Sequence, residues 1–482
     1  MAKIIGRENE QVILTSLLYS EKSEFLAVYG RRRVGKTYLI TQFFKNKFAF
    51  KHTGVSPFDE KGTITMKDQL QAFYYSLLKS GMDEIIPCPK SWQEAFFQLG
   101  NLLEKKATRN KKVVFIDELP WMDTPRSKFV SAFEWFYNGW ASHRDDILLV
   151  ICGSSSSWVL NNIVNAKGGL YNRLTCSIKL KPFNLKETED YLHSKKMFLE
   201  RYDIVRLYMA LGGIPYYLDF LQKGLSVEQN IDNILFAENA PLNREFVRLF
   251  NTLFSHSENY IAIVRALSKR NYGFTRGELS EEINMKSGGG LSDYLEKLKE
   301  ADFIEQYKPV MSLDRDDYFR LKDCFCIFYL RYIYGKSSLD PHFWQNSSGT
   351  QGIKSWEGVA FEQICMSHLE NIRMALGISG VVTKASNMII PAEENKKGSQ
   401  IDMVIDRADR NVNICEMKFY SSEVLLSKDE NLKLRERLAR FREKTPSRKN
   451  LFLTLITTFG LKHNQYSGIF NKVITLDHLF QQ

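Results

Sequence analysis

The sequence predicts an α/β multidomain protein. A parallel-sheet core comes first, then an all-helical segment, a unit of three helices with a β-wing, and a mixed α/β domain. Three observations carry this. The first half alternates short β-rich runs with longer helical patterns, as a parallel sheet covered by helices on both faces does. The pattern then turns wholly helical, and strands return near the end of the chain. A chain of 482 residues also exceeds one ordinary core, so about two to four domains are expected.

The first domain, residues 1–184, has candidate strands at Phe25 to Tyr29, Phe48 to His52, Lys112 to Ile116, Ile147 to Cys152 and Cys176 to Leu180. Between them lie helical stretches such as "MKDQLQAFYYSLLKS" and "SKFVSAFEWFYNGW". Residues 185–250 read as a helical lid, with "KETEDYLHSKKM", "YDIVRLYMALGG" and "PYYLDFLQKG". Within 251–335, "NYIAIVRALSK", "TRGELSEEI" and "LSDYLEKLKEADF" read as three helices, and "IEQYKP" and "DDYFRLKD" as two strands joined by a polar turn. Three helices and a β-wing make a winged helix. Ser, Gly and Pro mark 336–354 as a linker. The last domain, 355–482, holds a leading helix, a hairpin from Gln400 to Tyr420, the charged helix "NLKLRERLARFREK" and strands "LFLTLITT" and "KVITLD".

Composition narrows the class. The chain is 44% hydrophobic and 25% charged, ordinary for a soluble globular protein. A net charge of +10 suits a polyanion partner and equally a solvated basic surface. The apolar runs "FLAVYG", "VVFID" and "ILLVICG" are far shorter than a membrane span of roughly 20 residues, so no membrane partner is expected. Seven scattered cysteines lack a disulfide or zinc framework. They read as reduced core residues of a cytoplasmic protein.

Chemistry enters at "GRRRVGKT". The spacing Gly30, then Gly35-Lys36-Thr37, is a complete Walker A loop, preceded by a strand and followed by a helix. Such a loop turns backbone N–H groups onto phosphate oxygens at a helix N-terminus. Gly30, Arg31, Arg32, Arg33, Val34, Gly35, Lys36, Thr37 and Tyr38 are the candidate nucleotide-binding residues. Lys36 would reach the β- and γ-phosphates and Thr37 would ligate magnesium; the side chains of the three arginines face phosphate, lid or solvent. In "VVFIDEL" a buried strand delivers Asp117 to the magnesium shell, and Glu118 is placed to orient or deprotonate the attacking water. "ICGSSSS" sets Ser154 or Ser155 beside the γ-phosphate. Arg173 in "GGLYNRL" is either a finger on a neighbouring subunit's nucleotide or a surface ion-pair partner. The expected cofactors are ATP and Mg2+.

Taken together, "IIGRENE", "GRRRVGKT", "VVFIDELPWM", "ICGSSSSWV", "GLYNR" and "GGIPYYL" resemble the AAA+/STAND-related archaeal-type ATPase family, found in archaea and in bacteria such as Bacteroidetes. The resemblance covers essentially the whole chain. It implies that Ile4, Ile5 and Arg7 lie near the adenine and that Pro215 approaches the base from the lid. No arginine stands at the usual sensor-2 place in the lid, so a slow, switch-like cycle is expected.

The far end carries a second constellation, "QIDMVIDRADRNVNICEMKFY". If the turn centres near Asp409, Asp402 falls opposite Glu416, each seven residues away. Facing residues of an antiparallel pair sit only about 5 Å apart, and strand alternation puts Lys418 on the Glu416 face. Two carboxylates that close call for a proton or a cation between them, and magnesium suits their hard oxygens. This arrangement resembles the PD-(D/E)XK nuclease core, with Ile401 where the superfamily name has proline. The resemblance implies Asp402 and Glu416 as metal ligands, Lys418 as the residue that activates water and Glu362 as the supporting acid, in a restriction-endonuclease-like domain. An exposed hairpin with an ordinary Glu–Lys pair is the plainer reading, and a degenerate fold that binds without cutting is a third.

DNA is the expected partner of such a domain. The helix with Lys433, Arg435, Arg437, Arg440, Arg442 and Lys444 offers a basic stripe, although such runs are commonly solvated faces. The mixed charge of "GGLSDYLEKLKEADF" leaves the winged helix between DNA reading and docking a protein partner. A homo-oligomer would give Arg173 its target. The expected function is an ATPase that regulates a magnesium-dependent nuclease-like domain acting on DNA; the alternative is a nucleotide-controlled interaction switch with an inert nuclease-like domain.

Overall fold

A computed structural model describes residues 4–56, 58–59, 62–107, 111–166, 168–310, 316–392, 398–445 and 448–481. The chain divides into two compact units, Met1–Pro182 with Asn251–Ser255, and Phe183–Phe250 with His256–Gln482.

The first unit is built on a five-stranded parallel sheet. Its strands run in the order Phe50–Thr53, Lys112–Asp117, Ile147–Gly153, Glu24–Tyr29, Cys176–Lys179. The three inner strands are buried along their whole length. That is why they read as continuous apolar runs rather than alternating ones. Helix Met66–Lys79 starts at a capping box of Thr65 and Asp68, and helix Trp92–Lys105 is capped by Ser91. With Phe129–Gly139 they bring Phe73, Trp92, Phe96 and Phe129 into edge and tilted contacts of 4.9 to 5.9 Å. Burying each such ring is worth about 1.5–3 kcal/mol.

The helical segment expected as a lid belongs to the second unit. Helices Leu185–Ser194 and Arg201–Leu211 stand where the periodicity places them, whereas "PYYLDFLQKG" forms only the short helix Pro215–Leu218. Arg206 ties this segment to the rest of the unit through Glu228 at 2.7 Å and Glu357 at 3.0 Å.

Helices Ser257–Leu267, Arg276–Glu282 and Gly289–Glu300 follow as expected. Strands Ile304–Tyr307 and Tyr318–Leu321 pair antiparallel, and the short strand Phe274–Thr275 adds a third. The connecting turn falls partly on 311–315, outside the described residues. Val310 is buried among Ile401 and Val404, and its N–H donates to Ser386 Oγ at 2.8 Å.

The stretch expected as a linker differs from that expectation. It holds the helix Phe343–Ser347, with Trp344 buried and its N–H donating to Asp232 at 2.8 Å. The leading helix of the last domain starts inside it, at Gln351, and runs to Ser367. Aromatic packing of Trp344 on Trp356 outweighs the turn-forming Ser and Gly.

The last sheet has strands in sequence order: Thr383–Ile390, Ser399–Arg407, Asn411–Lys418, Asn450–Thr457, Lys472–Ile474. The first two pairings are antiparallel and the last two parallel. Helix Lys428–Lys444 packs Leu434 and Phe441 into the core of this sheet.

Candidate functional site

The first site lies at the carboxyl ends of the parallel strands, where open α/β sheets place ligands. Gly30 ends its strand with φ 136°, and a Cβ there would come within 2.3 Å of the Leu180 carbonyl oxygen, so only glycine fits. Gly35 is left-handed, φ 90°, directly before helix Lys36–Phe43. Lys36 is buried, and burial pulls its pKa below the ordinary value. Its Nζ donates to the carbonyl oxygens of Gly30 and Arg31, at 3.0 and 3.1 Å.

Thr37 Oγ1 donates to Asp117 Oδ2 at 2.7 Å. Burial raises the Asp117 pKa, while the Thr37 bond opposes the rise. This pair of hard oxygens at the helix start is the donor set that magnesium prefers. The strand ending at Gly153 lies between Glu24–Tyr29, which leads into the loop, and Lys112–Asp117, so Ser154 emerges between the Lys36 loop and Asp117. Its N–H and hydroxyl both donate to Glu118 Oε2, at 3.0 and 2.8 Å. Of the two candidate serines, Ser154 is thus the one joined to the catalytic acid candidate.

Other expected residues spread around this loop. Arg7 is buried and donates to the Lys181 carbonyl at 2.7 Å, and Ile5 is half-buried nearby in sequence. Arg31 and Val34 are buried. The Arg32 guanidinium lies 5.9 Å from the Trp121 ring centroid. Arg33 has a left-handed backbone, φ 75°. Tyr38 and Arg173 are exposed. Pro215 opens a helix of the second unit.

The second site forms within the second unit. The hairpin pairs Met403 with Cys415 and Val404 with Ile414, so the same register carried one step sets Asp402 against Glu416. Asp402 Oδ2 accepts from the Met417 N–H at 2.8 Å. Lys418 Nζ lies 2.9 Å from Glu416 Oε1. Glu362 comes from helix Gln351–Ser367. Burial, then the charges of Asp402 and Glu416, push Glu362 well above the ordinary carboxylate range. Burial, then Glu416, does the same to Asp402. Burial alone would lower Lys418, but Glu416 outweighs it and the ammonium stands above its ordinary value.

Among the described residues, no group of three or more His, Cys, Asp or Glu is arranged to hold a metal ion. Glu416 is engaged instead by two cations, Lys418 and Arg437, and the Asp402 oxygen by a backbone N–H. The charge of Glu416 reaches both Asp402 and Glu362. A cation there would take over the neutralising role of Arg437. Beside them a cleft of about 50 Å³ is lined by Glu362, Asp402, Arg270, Arg320, Met209 and Cys324.

Residues 5–221 match the family described as an ATPase domain predominantly from Archaea. The matched segment contains the Gly30–Thr37 loop, Asp117 and Glu118. Over 368 residues the chain is 26% identical to the uncharacterized protein MJECL04 of Methanocaldococcus jannaschii, covering 76% of this chain and 77% of that one. Among solved structures, it resembles the Walker-type ATPase of Pyrococcus abyssi at 18% identity and a TM-score of 0.46, covering 68% of this chain and 96% of that one. The ORC2 protein of Aeropyrum pernix, in ADPNP and ADP complexes, gives 12% identity and a TM-score of 0.42, with 76% and 96% covered.

Two residues of the chain escaped sequence reasoning. In the first unit, buried Gln69 binds the backbone of Val55 and the Trp121 carbonyl, bracing the turn after Glu118. A lone glutamine in a helical pattern gives no signal of this. At the second site Arg437, one of the stripe of basic residues on helix Lys428–Lys444, pairs with Glu416. No helix among the described residues is long and apolar enough to cross a membrane, and no disulfide forms among them.

Proposed function

We propose that the ATPase domain binds and hydrolyses ATP with Mg2+ and thereby regulates a PD-(D/E)XK nuclease-like domain, residues 355–482, acting on DNA. The observation that carries this reading is the facing pair Asp402 and Glu416 with Lys418 beside them and Glu362 on the preceding helix. The mixed sheet with an antiparallel hairpin at its start supports it. So does the unit of three helices and three short strands, which we read as a winged helix.

In the ATPase domain, Lys36 would bind the β- and γ-phosphates, and Thr37 with Asp117 would hold magnesium. Glu118, oriented by Ser154, takes the proton of the attacking water. In the C-terminal domain Asp402 and Glu416 would hold a second magnesium, and Lys418 would orient the water. A metal at either site supplies charge stabilisation on phosphate oxygens and a more acidic water. Glu362 accepts a proton in the resting site and carries charge when the metal is bound. The segment 185–250 acts as the lid, and Arg206, bound to Glu357 on the Glu362 helix, transmits its movement. Arg173, exposed, acts on a neighbouring protomer in a homo-oligomer.

A DNA-cleavage assay with magnesium tests the reading. Wild type should cut, and Asp402→Ala and Lys418→Ala should each lose about 100-fold or more. Absence of cutting on varied DNA and RNA would sink the nuclease half. The clamp of Lys418 and Arg437 on Glu416 favours one second reading, an ATP-controlled interaction switch whose nuclease-like domain is inert.

A further inference from the structure

We infer that the C-terminal site takes an unpaired nucleic-acid strand and that Tyr420 and Phe459 form the platform on which its bases stack. The inference rests on the nuclease-like reading above and adds the substrate's form.

Strands Asn411–Lys418 and Asn450–Thr457 are parallel, with Lys418 paired to Thr457. The residues that follow therefore leave the sheet side by side, next to Lys418. Phe419 turns inward, buried, and stacks on Tyr202 with centroids 4.8 Å apart and planes at 9°. Tyr420 and Phe459 stay outside, 44% and 48% exposed. Phe459 leans on Tyr202 at 5.6 Å and 33°.

The two segments bearing these rings are fastened to each other. Thr458 Oγ1 donates to the Tyr420 carbonyl at 2.5 Å, Val424 N–H to Gly460 O at 2.9 Å, and Lys462 N–H to Val424 O at 2.8 Å. Rings presented on fixed backbone lose little entropy when a base stacks on them, and stacking tolerates any base because each has a π-face.

Charge identifies the occupant. Lys418 lies within electrostatic reach of the Tyr420 hydroxyl, and Lys462 and His463 are exposed just beyond Phe459. Exposed rings with basic residues next to them in the chain fit a base and its phosphate; a purely apolar protein partner has no use for the cations.

The test is fluorescence anisotropy on the full chain, with calcium replacing magnesium so that the strand stays intact. Three labelled probes of about 20 nucleotides are compared, oligo-dT, a duplex and an abasic deoxyribose-phosphate strand. Oligo-dT should bind at least tenfold tighter than the duplex and roughly ten- to hundredfold tighter than the abasic strand. The double variant Tyr420→Leu/Phe459→Leu should erase the preference over the abasic strand, and Phe459→Trp should keep it. Equal affinity for oligo-dT and abasic strand, preference for the duplex, or no oligonucleotide binding would overturn the inference. Oligo-dT binding without cleavage in magnesium would uphold it and sink only the nuclease reading.

Discussion

Ser154 holds Glu118 by two hydrogen bonds, one from its N–H at 3.0 Å and one from its hydroxyl at 2.8 Å. Glu118 itself sits in a left-handed turn, φ 47°, so backbone and side chain are both fixed before any substrate arrives. A general base needs such placement, since proton transfer depends on geometry first. Glu118→Gln should keep nucleotide affinity and lose about 100-fold or more in turnover. Ser154→Ala removes one of two bonds to a charged group, so turnover should fall roughly ten- to hundredfold with affinity unchanged. Phosphate-release and nucleotide-titration measurements on the two variants check this. Normal turnover in Ser154→Ala would mean the contact only holds the resting loop.

Lys36 turns its ammonium onto the Gly30 and Arg31 carbonyls, deep in its own loop. Phosphate oxygens are stronger acceptors for a buried cation than those carbonyls. Lys36→Ala should therefore abolish the rise in melting temperature that ATP gives the wild type. A rise of equal size in the variant would show that the nucleotide binds elsewhere.

The nucleotide site was legible because its signals are local. Strand, loop, lysine and threonine lie within one short segment, and Asp117 ends an unmistakable buried strand. The Asp402–Glu416 pairing was legible for a related reason: a short turn at Asp409 determines the register of everything behind it. What stayed hidden depends on distance in sequence. Arg437 reaches Glu416 from a helix whose charges look alike on every face. Ser154 and Ser155 are equivalent in a run of four serines, and only the contact of Ser154 with Glu118 separates them. Trp344 sits among linker-like residues, and its partners Trp356 and Phe328 decide its burial. Residues 183–250 group with the C-terminal part through contacts distant in sequence, among them the Arg206–Glu357 ion pair, which no periodicity encodes.

Glu362 and Asp402 make stability depend on pH in a direction opposite to that of salt-bridged acids. Burial and mutual repulsion raise both carboxyls in the folded state. Their contribution is fully present below the unfolded pKa and is lost as pH rises through the raised folded values. The metal-free protein should therefore lose melting temperature between the ordinary carboxylate range and mild alkalinity. Glu362→Gln should flatten that decline and melt a few degrees above wild type at the alkaline end. Magnesium should stabilise the wild type more at the alkaline end than at the acidic end. Parallel melting curves for wild type and Glu362→Gln across pH would remove Glu362 from the cluster.

Arg437 separates an active metal site from an inert one. Its guanidinium and the Lys418 ammonium both neutralise Glu416, a buried carboxylate. A divalent cation competes for the same charge, so the arginine either yields on metal binding or prevents it. Arg437→Met keeps much of the apolar stem and removes the charge. Losing one ionic hydrogen bond to a buried carboxylate costs roughly 1.5–3 kcal/mol, reduced here because Arg437 is itself partly exposed. The variant should melt a few degrees lower without metal. In calorimetric titration with Mn2+, the variant should bind the ion more tightly than the wild type, and Asp402→Asn added to it should abolish the gain. Loss of stability with no gain in metal affinity would make Arg437 a purely structural partner of Glu416 and favour the inert domain.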